Sequence, residues 1–182
     1  MYLTKLCISR TRGSGLSSSF HKLVMWGFPR TDGLNPRQKW GVLHRVDGRF
    51  LLVQSQIEPV FPALLETQTK VYSPVLELGR SYRFRLAINP VKQFKGRRSP
   101  VDPVTWLESR DLGAKLEVCN LVSTTAIEKS RRGGRVASFP LVVATLDGVL
   151  ECTDPARLKE CIVNGVGRGR AYGCGLLSVV RV

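Results

Sequence analysis

Acidic residues are scarce in this chain: 14 Asp plus Glu stand against 28 Lys plus Arg among 182 residues, a formal net charge of +14. Such a surplus calls for a polyanionic partner, a nucleic acid or an anionic membrane surface. The few acids form no recognisable metal-binding pattern, which disfavours two-metal nuclease chemistry. Histidines number only two, and the five cysteines (Cys7, Cys119, Cys152, Cys161, Cys174) contain no C-x-x-C pair. Structural zinc needs four ligands that usually arrive as close pairs, so no metal is expected. The cysteines read instead as reduced and mostly buried. No apolar run approaches the ~20 residues that span a bilayer. The chain opens on a strand-like segment rather than an apolar leader. A soluble, cytoplasmic protein that needs neither membrane nor small-molecule cofactor is the expectation. Both common phosphate-loop motifs, G-x-G-x-x-G and G-x-x-x-x-G-K-[ST], are missing as well.

What the chain does have is glycine and arginine in one place. Gly165, Gly167, Gly169, Gly173 and Gly175 fall within eleven residues, with Arg168 and Arg170 set among them. Glycine admits positive φ and close backbone approach, and successive N–H groups in such a turn make an anion-binding concavity. A helix precedes this loop and an apolar strand follows it, the reverse of the order in nucleotide enzymes. The ligand expected is a phosphodiester backbone rather than a mononucleotide.

Hydrophobic content of 43% in periodic segments implies folded cores. Tyr2 to Arg10 alternates as a half-buried strand. Ser17-Ser18-Ser19 offers N-caps to a helix carrying Phe20, Leu23 and Val24, which Gly27 and Pro29 end. Gln38–Val46 and Arg49–Gln54 read as strands joined at Asp47-Gly48. A short helix over Pro62–Gln68 and an extended segment over Val71–Glu77 follow. The pattern restarts after Gly79-Arg80. Strands are expected at Tyr82–Ile88, Leu116–Thr124, Val136–Leu146 and Leu176–Val182, with helices at Pro103–Leu112 and from Asp154 to Gly165. The result is an α+β chain of two tandem β-α-β-β-α-β units, the ferredoxin-like pattern shared with RNA-recognition modules, over residues 1–79 and 80–182.

Positive charge is clustered. Lys92, Lys95, Arg97 and Arg98 lie in a stretch with no acid between Glu77 and Asp102. Lys129, Arg131, Arg132 and Arg135 surround Gly133-Gly134 between two expected strands, and no acid follows Glu160. A charge run can simply be a solvated face, but three acid-free clusters in one half favour phosphate binding. An arginine-rich hairpin tip suits the groove of an RNA stem-loop, gripping phosphates bidentately. The first unit lacks the aromatic strand of base-stacking RNA modules, so shape and backbone should dominate recognition.

His21 falls in the first turn of the first expected helix, beside Phe20 and Lys22. It is either a surface helix histidine or a general acid or base for RNA cleavage by its own 2′-hydroxyl. The helix N-terminus and Lys22 should both disfavour its charged form. His44, mid-strand between Leu43 and Arg45, reads as structural.

Several segments carry a family resemblance. Met1-Tyr2-Leu3-Thr4-Lys5, Phe20-His21 ahead of Trp26-Gly27-Phe28-Pro29, Leu52-Val53-Gln54-Ser55, Phe84 to Lys92, and Gly165 to Ser178 together resemble the CasE family. These are the CRISPR repeat-RNA endoribonucleases of type I-E systems. The resemblance runs in order over essentially the whole chain. It implies two ferredoxin-like domains and metal-free cleavage of precursor CRISPR RNA at the 3′ base of the repeat stem-loop. It also implies 2′-hydroxyl attack leaving a 2′,3′-cyclic phosphate (or 3′-phosphate) and a 5′-hydroxyl, then retention of the product within a surveillance complex of further subunits. On this likeness His21 is the catalytic histidine, Gly165 to Gly175 the glycine-rich loop, and Arg131 to Arg135 the groove-inserting hairpin. The family often has tyrosine three residues before the histidine, where this chain has Ser18. Either a neighbour such as Lys22 takes that part or cleavage is slower. Two rivals stay open: a non-catalytic RNA-binding assembly subunit, and a basic ribosomal or ribonucleoprotein component.

Overall fold

The computed structural model describes residues 1–8, 16–30, 36–63, 65–94, 97–128 and 140–182. The chain groups into two compact units. One comprises Met1–Val75 with Glu160–Leu176, and the other Leu76–Lys159 with Leu177–Val182.

In the first unit, β1 (Tyr2–Cys7), α1 (Leu16–Trp26), α2 (Pro36–Lys39), β2 (Leu43–Asp47), β3 (Phe50–Ser55) and β4 (Thr67–Val71) follow in order. The strands make one antiparallel sheet, β2-β3-β1-β4. Alternation in β1 does what the sequence implies: Thr4 and Leu6 are buried while Lys5 between them is exposed. Thr4 pairs across to Thr69, their hydroxyls 3.0 Å apart. Leu6, Leu51 and Val53 of the sheet pack with Val24 of α1 and with Phe28 and Val42 to form the core. Gly27 follows α1, and a Cβ there would come within 2.6 Å of the Phe61 ring, so the close approach requires glycine.

Three sequence expectations shift here. The strand read over Gln38–Val46 is the one-turn helix α2 followed by β2, and Asn35-Pro36 was the overlooked helix-start signal. The β2–β3 turn is Gly48-Arg49, with Asp47 paired opposite Phe50 rather than in the turn. The helix read over Pro62–Gln68 does not form among the described residues, and Thr67–Val71 joins the sheet edge instead.

The second unit contains β5 (Ser81–Ile88), the β6 (Val91–Phe94) and β7 (Arg97–Pro100) hairpin, α3 (Pro103–Glu108), β8 (Ala114–Glu128), β9 (Pro140–Cys152) and β10 (Leu177–Arg181). The helix α4 (Pro155–Asn164) begins in this unit, with the Asp154 carboxylate accepting from the amides of Ala156 and Arg157. Its sheet order, β10-β5-β9-β8, repeats that of the first sheet: fourth, first, third, second strand. The chain is thus built from two tandem ferredoxin-like folds. Leu86, Ile88, Leu107, Leu146 and Leu150 are fully buried in its core. Gly148 lies opposite a bulge in β8, where an added Cβ would come within 1.8 Å of the Val118 carbonyl oxygen.

Candidate catalytic and RNA-binding site

α1 begins at Leu16, so His21 is on its second turn rather than its first. Its ring is half-buried, and its neighbour is a residue the sequence reading did not single out. Arg37, from α2 and 8% exposed, donates from Nη2 to His21 Nδ1 at 2.7 Å. The other Arg37 amino group donates to the Arg170 carbonyl. A guanidinium offers only donors, so Nδ1 of His21 must accept and the neutral ring carries its proton on Nε2. Burial lowers the His21 pKa, and the Arg37 charge lowers it further. The direction agrees with the sequence expectation, but the causes are burial and Arg37 rather than Lys22, whose side chain is exposed.

His44, expected to be structural, is 1% exposed on β2 beside the same group. Burial pushes its pKa down to about 3, with Arg37 and then His21 adding to the effect. Its Nδ1 finds no partner among the described residues, and its Nε2 is 3.7 Å from where a Cβ on Gly173 would stand. Two neutral imidazoles and one guanidinium therefore lie within electrostatic reach of one another. No local pattern marked Arg37, because its partner Arg170 lies 133 residues away.

The glycine-rich loop folds as its composition requires. Gly165, Gly167, Gly169, Gly173 and Gly175 all take positive φ, between 77° and 94°. A 3-10 turn, Arg170–Tyr172, is bounded by Gly169 and Gly173. The amides of Val166, Tyr172 and Cys174 are spent inside the loop, on the carbonyls of Gly175 and Gly169. Arg168 and Arg170 are exposed along it. Side chains of the first sheet hold this segment. Arg45, itself paired with Asp47, donates to the Leu176 carbonyl at 3.0 Å, and Gln54 donates to the Ile162 carbonyl at 2.7 Å. Burial raises the Cys174 thiol to about 12, so it is an inert packing group.

The remaining sequence-predicted residues distribute as follows. Lys22 is exposed one residue from His21, in the groove that also holds Trp26 and Arg30. Ser18 is placed by its backbone on the first turn of α1. Lys92 is exposed on β6, and Arg97 and Arg98 are placed by their backbone on β7, so this cluster is a hairpin. Lys95, Lys129, Arg131, Arg132 and Arg135 lie outside the described residues. The structure thus brings His21 together with the Arg170 turn. Among the described residues no three or more His, Cys, Asp or Glu stand together as a metal-ligand set. No described helix is long and apolar enough to cross a membrane.

Comparison with known proteins agrees over the full length. The family model described as CRISPR associated protein matches residues 1–181. The CRISPR-associated endoribonuclease Cse3 of Thermus thermophilus is 34% identical over 151 residues, covering 71% of this chain and 72% of that protein. The Cascade subunit CasE of Escherichia coli strain K12 is 27% identical, covering 98% of both. The structure of CRISPR endoribonuclease Cse3 bound to a 19-nucleotide RNA superposes with a TM-score of 0.84 at 26% identity, covering 99% of this chain and 100% of that one. With the whole length matched, this chain belongs to the CRISPR-associated protein family.

Proposed function

We propose that this protein is an endoribonuclease that binds the CRISPR repeat stem-loop, cuts precursor CRISPR RNA at its 3′ base without metal, and stays with the guide RNA in a type I-E surveillance complex in the cytoplasm. Its relatives are named as a CRISPR endoribonuclease and as a Cascade subunit. The observation that carries the catalytic assignment is the His21–Arg37–Arg170 chain of hydrogen bonds, which puts a titratable ring beside an arginine-bearing glycine loop. On this reading the tandem folds span residues 1–79 and 80–182. Arg168 and Arg170 with Gly165, Gly167 and Gly169 hold the backbone, and Lys92, Lys95, Arg97, Arg98, Arg131, Arg132 and Arg135 serve the stem.

The geometry suggests how the proton moves. In the free protein Arg37 occupies Nδ1 and its charge keeps the ring neutral. A docked phosphate competes for the guanidinium and adds negative charge, and both changes favour protonation at Nδ1. The resulting imidazolium is an acid. The 2′-oxygen attacks phosphorus, the bond from phosphorus to the 5′-oxygen breaks, and His21 gives its proton to that leaving oxygen. The 2′-hydroxyl proton passes to solvent. A 2′,3′-cyclic phosphate and a 5′-hydroxyl result.

Incubating the protein with its repeat RNA in EDTA tests this. Cleavage with a cyclic-phosphate end is expected, and His21→Ala should slow it by ~10²–10⁴-fold, the usual worth of a general acid. Cleavage that needs a divalent ion, or that ignores the substitution, overturns it. Ser18, in place of the family's frequent tyrosine, favours one rival: a subunit that binds the hairpin tightly and never cuts it.

A further inference from the structure

Trp26, the last residue of α1, is 70% exposed, whereas Trp106 is 3% exposed and Trp40 is half-buried. An indole that faces water presents a π-face on which a base can stack. Trp26 lies in a groove of about 390 Å³ that also takes in His21, Lys22, Met25, Pro29 and Arg30. The helix explains this lining. His21 and Met25, and likewise Lys22 and Trp26, are four residues apart and form adjacent rows on one side of α1. Five positions along α1 carry His21 to Trp26, a rise of ~7.5 Å with a turn of about 140° around the axis, and both line the groove. A nucleotide next to a phosphate at His21 could therefore lay its base on the indole. Lys22 and Arg30, both exposed, supply the cationic rim that such a strand requires.

The geometry points to this groove as a base-stacking subsite: Trp26 holds the base of an unpaired nucleotide flanking the scissile phosphate, with Lys22 and Arg30 on its backbone. The assignment rests on His21 marking the cleavage point. It adds a stacking contact outside the stem, which charge clusters alone do not provide. A protein partner would fit the indole, but the two cations beside it and the neighbouring imidazole favour a polyanion.

Binding of repeat RNA to His21→Ala protein, which leaves the RNA whole, separates the alternatives. Two RNAs are compared, one with unpaired flanks on both sides of the stem and one trimmed to the hairpin. Trp26→Ala should weaken the flanked RNA about tenfold, as loss of one aromatic stacking platform does, and leave the trimmed hairpin unchanged. Trp26→Phe should keep most of the affinity. Tryptophan emission should be quenched by the flanked RNA, and this quenching should vanish in Trp26→Phe. Flanked-RNA affinity that Trp26→Ala leaves unchanged overturns the proposal, as does equal weakening of both RNAs. Normal RNA binding with failed assembly into the surveillance complex also overturns it and assigns the indole to a protein contact. Both RNAs carry a 2′-deoxy nucleotide before the cut site, so they stay whole whatever His21 does; cleavage of ordinary RNA that survives His21→Ala would sink the catalytic assignment and leave this comparison informative.

Discussion

Burial and then a guanidinium 2.7 Å from Nδ1 lower the His21 pKa, and the guanidinium also sets the tautomer. Arg37→Gln removes the cation while keeping a donor, so the His21 pKa should rise toward its ordinary value, a change read by titrating the ring in NMR spectra of the free protein. His44 makes a stability statement. Its folded pKa of about 3 lies below the unfolded 6.5, so the unfolded state binds more protons at mildly acid pH. Its contribution is fully present above about pH 6.5 and is lost as pH falls toward 3. Between pH 7 and pH 5 this single group should remove about 2 kcal/mol, with His21 acting in the same direction. Denaturant midpoints at the two pH values, for the wild type and for His44→Leu, check this: the substitution should flatten the decline. The direction of the His21 shift was legible in the sequence, but neither Arg37 as a cause nor the burial of His44 was. Arg37 was one cation among 28, and His44 looked like an ordinary strand residue.

Elements were legible wherever local periodicity decides them. The alternation of β1 and of β5, the Asp154 cap on α4 and the five loop glycines all appear where their residues say they should. Failures came from tertiary demands. Thr67–Val71 is exposed at every position and carries no amphipathic signature, yet it completes the first sheet by pairing with β1. Residues 160–176 group with the first unit through Arg45 and Gln54, whose partners lie 131 and 108 residues distant. No window along the chain can register that. The loop's backbone makes its own prediction. Gly173 has φ of 86°, so Gly173→Ala should cost ~1–2 kcal/mol by strain alone, since the space beside His44 admits a methyl. Equilibrium unfolding measures the loss, and cleavage should fall with it as the Arg170 turn loosens.

A chain of net charge +14 should bind any RNA in part through counterion release. Affinity for the repeat hairpin should fall steeply and linearly on a log–log plot against salt. Arg170→Ala should reduce that slope by about one if its side chain meets a phosphate, whereas Trp26→Ala should leave the slope unaltered. The proposed chemistry, however, rests on a single ring. Repeat RNA carrying sulfur in place of the 5′-oxygen at the cut site tests that placement most directly, because a thiolate leaves without needing a proton. If His21 is the acid, His21→Ala should cleave this substrate at close to the wild-type rate while remaining defective on ordinary RNA. A defect equally deep on both substrates would contradict the account.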